Sequence, residues 1–339
     1  MKKTGMLVLT AFVCMALSGL VGSPARAQER TIVLKYSNFF PVMNRISVLS
    51  EQWCKEVEKR TNGRVKVNYY PAGTLTPPGQ TYDAVTKGIA DIGLSFASYT
   101  HGRFPLTEVL DLPLGYRSAY QGMKLANAYY KKFRPREFDD VRVMYLHTSG
   151  PHYIFARKPI NSLEDLKGLK IRSTGTSTLV VKALGGLPVG MPMSDAYDAL
   201  SRGVTDGISA PFEAMHGFKL ADVVNFCAQY DRVYVNAAYV VMNKSRWQGL
   251  PADIQKTIEG VNEEWAEKQG RLWDELDKEG REVFLKKGGK IGALSTQENA
   301  RWTAHLRPVL DDYVKDMKAK NLPGDEALKF CVDYLKAHP

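Results

Sequence analysis

The sequence predicts an α/β protein built from two related domains, with one long helix lying along both. Three observations carry this reading. Residues 31–70 run strand, helix, strand, and the same grammar returns after Val141, which is the unit of a sheet covered by helices. The stretch YDAVTKGIADIGL at 82–94 is written again as YDALSRGVTDGIS at 197–209. Finally, the apolar residues Ile254, Ile258, Val261, Trp265, Leu272, Leu276 and Val283 recur at helical spacing, which predicts one amphipathic helix from about 252 to about 286.

Each element follows from its local pattern. TIVLKYS (31–37) is β-rich, and Asn38-Phe39-Phe40-Pro41 reads as a loop with a breaker. Ile46, Leu49, Trp53 and Val57 fall three and four apart, a helix closed by Thr61-Asn62-Gly63, and RVKVNYY (64–70) alternates as a strand. Further on, 141–146 reads as a strand, 153–156 as a short apolar run and 163–168 as a helical turn ending in Gly168. A strand at 169–172 follows, then a helix at 177–184 stopped by Gly185-Gly186. In the repeated stretch Tyr197, Leu200 and Ser201 share a helix, and Gly203 supplies the left-handed stop that a β-carbon disfavours. Val204 is expected to open a short strand, with Asp206-Gly207 where a tight backbone is wanted; Gly88 and Asp91 hold the matching places. Ligands of open α/β sheets sit beyond the carboxyl ends of strands, so SFASY (95–99) and Ala210-Pro211-Phe212 would line a space between the domains. The competing reading is that the repeat reflects folding alone. The last hundred residues read as helical.

Composition narrows the class. Lys2 and Lys3 precede an apolar run at 6–21 and the small-x-small site Ala25-Arg26-Ala27, the layout of a signal peptide (1–27) removed near Ala27. The run is broken by Thr10, Ser18 and Gly19, too short for the roughly 20 apolar residues of a membrane span. Export to the periplasm is therefore expected. The net charge of +10 is spread without a basic stripe, which argues against nucleic acid as a partner. Cys54, Cys227 and Cys331 show no metal-binding spacing; buried thiols are expected, and a single disulfide stays open. Neither metal nor cofactor is called for. GxSxG, HExxH and SxxK are absent, so a secreted hydrolase has no motif in its favour.

Six stretches carry a family resemblance: RTNGRVKVNYYPAGTL (60–75), KGIADIGLS (87–95), LDLPLGY (110–116), RKPINSLEDLKGLKIR (157–172), SRGVTDGISAP (201–211) and VMNKSRWQGLP (241–251). In this order they resemble the extracytoplasmic solute-binding proteins of tripartite ATP-independent periplasmic (TRAP) transporters, of the DctP type. The resemblance implies a monomeric, non-enzymatic "Venus flytrap" that closes on an organic anion and delivers it to a small and a large membrane permease subunit. Domain I is then expected over 28–149 plus about 238–277, and domain II over 150–237 plus about 278–339. Arg172 is implied as the clamp on the ligand's carboxylate, a role suited to a planar fork of donors that stays charged when desolvated. Asn38, Phe96, Tyr99, Thr174, Met193, Phe212 and Asn236 are implied as further ligand contacts. For Phe96 and Met193, a core role competes almost equally.

Two departures from the family pattern bear on the ligand. Gly150-Pro151-His152 stands where many members have Gly-x-Arg, so a second fixed charge becomes the titratable imidazole of His152. Ala210 stands where an Asn is common. Both changes suit a compact, singly charged anion; a small carboxylate, an aromatic carboxylate and a sulfonate such as isethionate all remain open. A ligand-sensing partner of a membrane receptor is the alternative to a transport role.

Overall fold

The computed structural model describes residues 31–100 and 102–339; the expected signal peptide lies outside the described residues. In the first half, β1 (Ile32–Asn38), α1 (Arg45–Arg60), β2 (Val65–Tyr70), α2 (Thr81–Thr86) and β3 (Ile92–Phe96) are followed by α3 (Ala119–Phe133) and β4 (Val141–Thr148). The chain then crosses to a second half: β5 (Tyr153–Ala156), α4 (Leu163–Leu166), β6 (Lys170–Ser173), α5 (Ser177–Ala183), β7 (Leu187–Gly190), α6 (Ala196–Ser201), β8 (Gly207–Ala210), α7 (Glu213–Gly217) and β9 (Phe226–Gln229). It returns through β10 (Ala237–Asn243) and α8 (Lys244–Gln248). The chain ends with α9 (Ala252–Lys286), β11 (Lys290–Ala293), α10 (Thr296–Ala319) and α11 (Gly324–Ala337).

The two sheets repeat one plan. The first has the order β2-β1-β3-β10-β4, the second β11-β9-β5-β8-β6-β7. Reading the second backwards, β7, β6, β8, β5 and β9 take the places of β2, β1, β3, β10 and β4. Both central additions are antiparallel: β10 against β3 and β4, β5 against β8 and β9. Each half is thus completed by a strand arriving from the other, so neither sheet closes without both crossings. The crossings run side by side, with Ser149 N–H donating to Asn236 O at 3.0 Å and His152 N–H to Tyr234 O at 2.8 Å.

The duplicated stretch is a pin. Gly88 and Gly203 carry φ of +74° and +71° after α2 and α6, where an L side chain would be strained. The chain then turns so that Asp91 Oδ2 accepts the Lys35 N–H at 2.7 Å, while Asp206 Oδ2 accepts the Lys170 N–H at 2.8 Å. Each aspartate also donates its own N–H to the carbonyl of the same lysine, locking β3 beside β1 and β8 beside β6. The second strand starts at Gly207 and not at Val204, which is exposed in the turn. A β-carbon on Gly207 would lie 2.5 Å from the Phe155 carbonyl oxygen, so the close approach of β5 to β8 at this end of the ladder needs glycine.

The long helix forms over the expected span. Its first part packs on the first half, where Trp53 Nε1 donates to Asn262 Oδ1 at 3.0 Å and Trp265 Nε1 to Leu49 O at 2.8 Å. Asp274 accepts the Ala119 N–H at the start of α3, and Asp277 accepts the Glu213 N–H at the start of α7, both near 2.8 Å. Phe284, near its end, is buried in the core of the second half. Two features depart from the sequence reading. The helical tail is interrupted by β11, which adds a parallel edge strand to β9. And α11, expected with the second half, buries Ala327 and Cys331 against the Leu125, Ala126 and Tyr129 face of α3 in the first. Cys54, Cys227 and Cys331 are free, buried thiols.

Removing the pins separates their roles. Asp91 is 5 % exposed and also binds Arg246 Nε at 2.9 Å, whereas Asp206 is exposed. Leaving buried partners unmet costs about 1–3 kcal/mol. Asp91→Ala is therefore expected to lose about 3 kcal/mol in urea unfolding, and Asp206→Ala about 1 kcal/mol.

Candidate functional site

The carboxyl ends of β1, β3, β4, β6 and β8 all face the crossings, and the residues just beyond them converge. They line a narrow pocket with about 20 Å³ of free space, formed by Phe39, Phe40, Phe96, Tyr99, Ser149, His152, Arg172, Met193, Pro211, Glu213, Phe218, Asn236 and Trp273. The breaker Pro41 ends the segment after β1 and leaves Phe39 and Phe40 stacked, ring centroids 4.3 Å apart. Tyr99 meets Phe39 edge-on at 5.5 Å, and Trp273 from α9 closes the far side 6.0 Å from Phe40 and 6.4 Å from Phe96. Aromatic edges and faces therefore form most of the wall.

Arg172, in β6, is 1 % exposed. Its Nε donates to Met191 O, the residue just past the neighbouring β7, at 2.9 Å. That bond fixes the plane of the guanidinium, while Nη2 finds no acceptor among the described residues. Opposite it, the Tyr99 hydroxyl accepts the Met193 N–H at 3.2 Å, one half gripping the other. A buried cation with an unmet donor is costly, so the site is built to receive an acceptor that carries negative charge.

The other titratable groups of the wall are driven towards neutrality. Burial, aided by the Arg172 cation, lowers His152 to about 3. Its Nε2 lies 3.0 Å from Ser149 Oγ and its Nδ1 has no partner. Burial pushes Glu213 up to about 7, opposed by the Asn44 amide that donates to its Oε1 at 2.7 Å. Arg172 is left as the one permanent charge among the lining residues.

Of the residues predicted from sequence, Phe96, Tyr99, His152, Arg172, Met193 and Asn236 meet in this cavity. Asn236 leaves its Oδ1 unpartnered. Three do not. Asn38 lies behind the aromatic wall with its amide engaged: Nδ2 donates to Ser50 and Tyr69, and Oδ1 accepts the Phe40 N–H. Its role is to hold the turn that presents Phe39 and Phe40. Thr174 lies in the adjoining cleft with Ser98 and Met191, 3.5 Å from both Ser98 Oγ and Asn236 Nδ2. Phe212 points into the core of the second half, against Phe155 and Phe284, while its neighbours Pro211 and Glu213 face the cavity. Pro211, expected with Ala210 and Phe212 to line the space between the domains, does so, whereas sequence reasoning missed Phe39, Phe40, Ser149, Glu213, Phe218 and Trp273. Only the Phe-Phe-Pro loop after a strand carried a signal for any of them.

Among the described residues, no cluster of three or more His, Cys, Asp or Glu side chains could hold a metal ion, and no helix is long and apolar enough to cross a membrane. The family model for bacterial extracellular solute-binding proteins, family 7 (DctP), matches residues 45–316. The chain is 26% identical over 318 residues to the C4-dicarboxylate-binding periplasmic protein DctP of Rhodobacter capsulatus, covering 92% of this chain and 95% of that one. Two crystal structures superpose with a TM-score of 0.86. One, 31% identical and covering 90% of this chain and 99% of its own, is a marine metagenome TRAP solute-binding protein specific for aromatic acid ligands, in complex with metahydroxyphenylacetate. The other, from Rhodoferax ferrireducens T118, is 30% identical over 91% of this chain and 98% of its own, and holds copurified benzoate.

The contact between α7 and α9 sets the depth of the cavity, and Gly280 is its closest point. A β-carbon there would sit 1.9 Å from Phe212 O and 3.0 Å from Glu213 N. Alanine gains about 1 kcal/mol of intrinsic helix preference, but overpacking against backbone costs about 1–3 kcal/mol. Gly280→Ala is expected to lower the melting temperature despite the better helix former, and to weaken ligand binding by displacing Pro211 and Glu213.

Proposed function

The chain belongs to the bacterial extracellular solute-binding proteins of family 7, not to an enzyme family, and on that footing we propose that it captures a small aromatic monocarboxylate in the periplasm. The observation that carries the reading is the pairing of one permanent charge, Arg172, with six aromatic walls: Phe39, Phe40, Phe96, Tyr99, Phe218 and Trp273. A single guanidinium matches a single carboxylate bidentately. A second anionic group would enter a desolvated space with no cation to meet it, at a cost of several kcal/mol. A flat ring would be taken up between these aromatic edges and faces as the halves part to admit it, where offset and edge-on pairs add about 0.5–1.5 kcal/mol each beyond burial.

The solved relatives that hold benzoate and metahydroxyphenylacetate support this choice. A C4-dicarboxylate, the ligand named for the Rhodobacter relative, fits less well, because its second carboxylate would find no second cation. Isethionate would leave the rings without a partner. In this reading the leader at 1–27 directs export, the mature protein works as a monomer, and the closed, loaded form is handed to a pair of membrane permease subunits.

A thermal-shift panel of benzoate, phenylacetate, succinate and isethionate tests the specificity. An aromatic monocarboxylate present at a hundred times its Kd stabilises by about 2.7 kcal/mol, a rise of roughly 3–8 °C, while succinate and isethionate leave the transition in place. A shift with isethionate alone would replace the carboxylate reading by a sulfonate one. Arg172→Ala is expected to weaken benzoate binding in calorimetry at least about a hundredfold. The unliganded variant stays as stable or becomes more so, since a buried unpaired cation is removed.

A further inference from the structure

The cavity of an anion-binding protein holds a carboxyl group of its own, and the reading above leaves Glu213 without a task. We propose that Glu213 is a proton-carrying specificity residue: it takes part in binding as the neutral acid, offers its Oε2–H as a donor inside the cavity, and takes up a proton as the two halves close. This rests on the assignment of the cavity to a monoanion.

The geometry assigns the proton. Asn44 caps α1 by accepting the Ile46 N–H at its Oδ1, 2.9 Å away. The orientation of that amide is therefore fixed, and its Nδ2 donates to Glu213 Oε1 at 2.7 Å. Oε1 acts as the carbonyl-like acceptor, and Oε2 is the atom left to carry hydrogen. The bond joins α7 of the second half to the entrance of α1 in the first, so it exists only when the halves are together. Gly217 makes the fit possible, because a β-carbon there would fall 2.1 Å from Oε1 and 2.7 Å from Asn44 Nδ2.

The surroundings set the sign. Glu213 is 2 % exposed. Asp277 on α9 accepts its backbone N–H at 2.8 Å and brings a second carboxyl group, itself held well above the usual carboxylate range by burial, against the lowering effect of that N–H. Across the cavity stand Tyr99 after β3, His152 on the crossing and Arg172 on β6. Arg45, the charged residue beside Asn44, is engaged by Glu275 and Glu279. Arg172 is the cation present, and an anion on it cancels that charge as seen by Glu213. Wall residues this buried can be reached only if the halves part, and solvent then returns the carboxyl to an ordinary value of about 4.3. Closure raises it to about 7. Between those values closing binds a proton, and affinity falls as pH rises, about tenfold per unit. His152, lowered to about 3 on closure, works in the opposite sense below about 6.5. The Glu213 contribution must therefore be read by difference.

The experiment is calorimetric titration of benzoate into the wild type and Glu213→Gln from pH 5 to 8, with each pH repeated in two buffers of different ionisation enthalpy. The ratio of wild-type to variant association constants is expected to fall about tenfold per pH unit between about 5 and 7 and then flatten. The wild type should take up more protons per benzoate than the variant, by up to one. Melting curves without benzoate check that the variant is folded, and Glu213→Ala supplies the same difference where it is not. Benzoate binding with a pH-independent ratio and equal proton counts overturns the role of Glu213 and leaves the aromatic-acid reading intact. No benzoate binding by either protein at any pH overturns both.

Discussion

The guanidinium of Arg172 is the constraint around which the closed molecule is arranged. A cation removed from water is tolerated only with compensation, and here the chain supplies one backbone carbonyl, that of Met191, and leaves Nη2 open. The surrounding wall is largely hydrocarbon, with little to screen the charge, so an anion entering it meets a field undiluted by water. The same bareness makes the closed form unfavourable until the charge is answered. In the proposed function binding and closure are one event: the ligand supplies what the protein leaves unmet, and the halves come together over it.

Position follows from topology. The carboxyl ends of parallel strands are where loops can carry side chains without interrupting a ladder. By exchanging β5 and β10 between the halves, the chain turns two such ends towards each other. The crossings between them carry Ser149, His152 and Asn236 into the wall. α9 spans what the crossings connect. Asp274 and Asp277 hold the starts of α3 and α7, one in each half, and Trp273 between the two halves faces the ligand space. A helix fixed at both domains while presenting a ring to the cavity ties occupancy to the relative placement of the halves.

The fold was more legible than the site, for a physical reason. Periodicity marks the side of an element that avoids water, which located β1, α1, β2 and the whole of α9. It does not separate a residue turned into a core from one turned into a cavity, since both are apolar and buried. Phe96 ends β3 and Phe212 follows the equivalent β8, and both are buried aromatics near strand ends, yet Phe96 lines the cavity and Phe212 packs on Phe155. Trp273 was hidden because it is adjacent to Leu272 on a helix whose inward face was already accounted for. Arg172 was found through the motif that ends in Lys-Ile-Arg, since a lone arginine carries no such signal. Glu213 had none: whether an acid is neutral depends on burial, and burial is a property of three dimensions. β11 and the seat of α11 were missed because a four-residue edge strand and the partner of an amphipathic face are both decided by tertiary contacts.

The duplicated stretch shows how a symmetric frame carries an asymmetric site. Asp91 and Asp206 do the same work at the same places, each pinning a strand to its neighbour through the lysine backbone. The residues that follow are free to differ because the pins do not involve them. β3 ends on Phe96 and the tight turn after it offers Tyr99; after β8 the chain runs through Pro211 into α7 and offers Glu213. Arg172 stands in β6, equivalent to β1, whose own end offers Phe39 and Phe40. One half therefore presents aromatic faces and the other a charge with a carboxyl across the pocket from it. The aromatic monocarboxylate of the proposed function, with an apolar ring and one acidic end, would be matched to that division, and only a closed protein presents both parts at once.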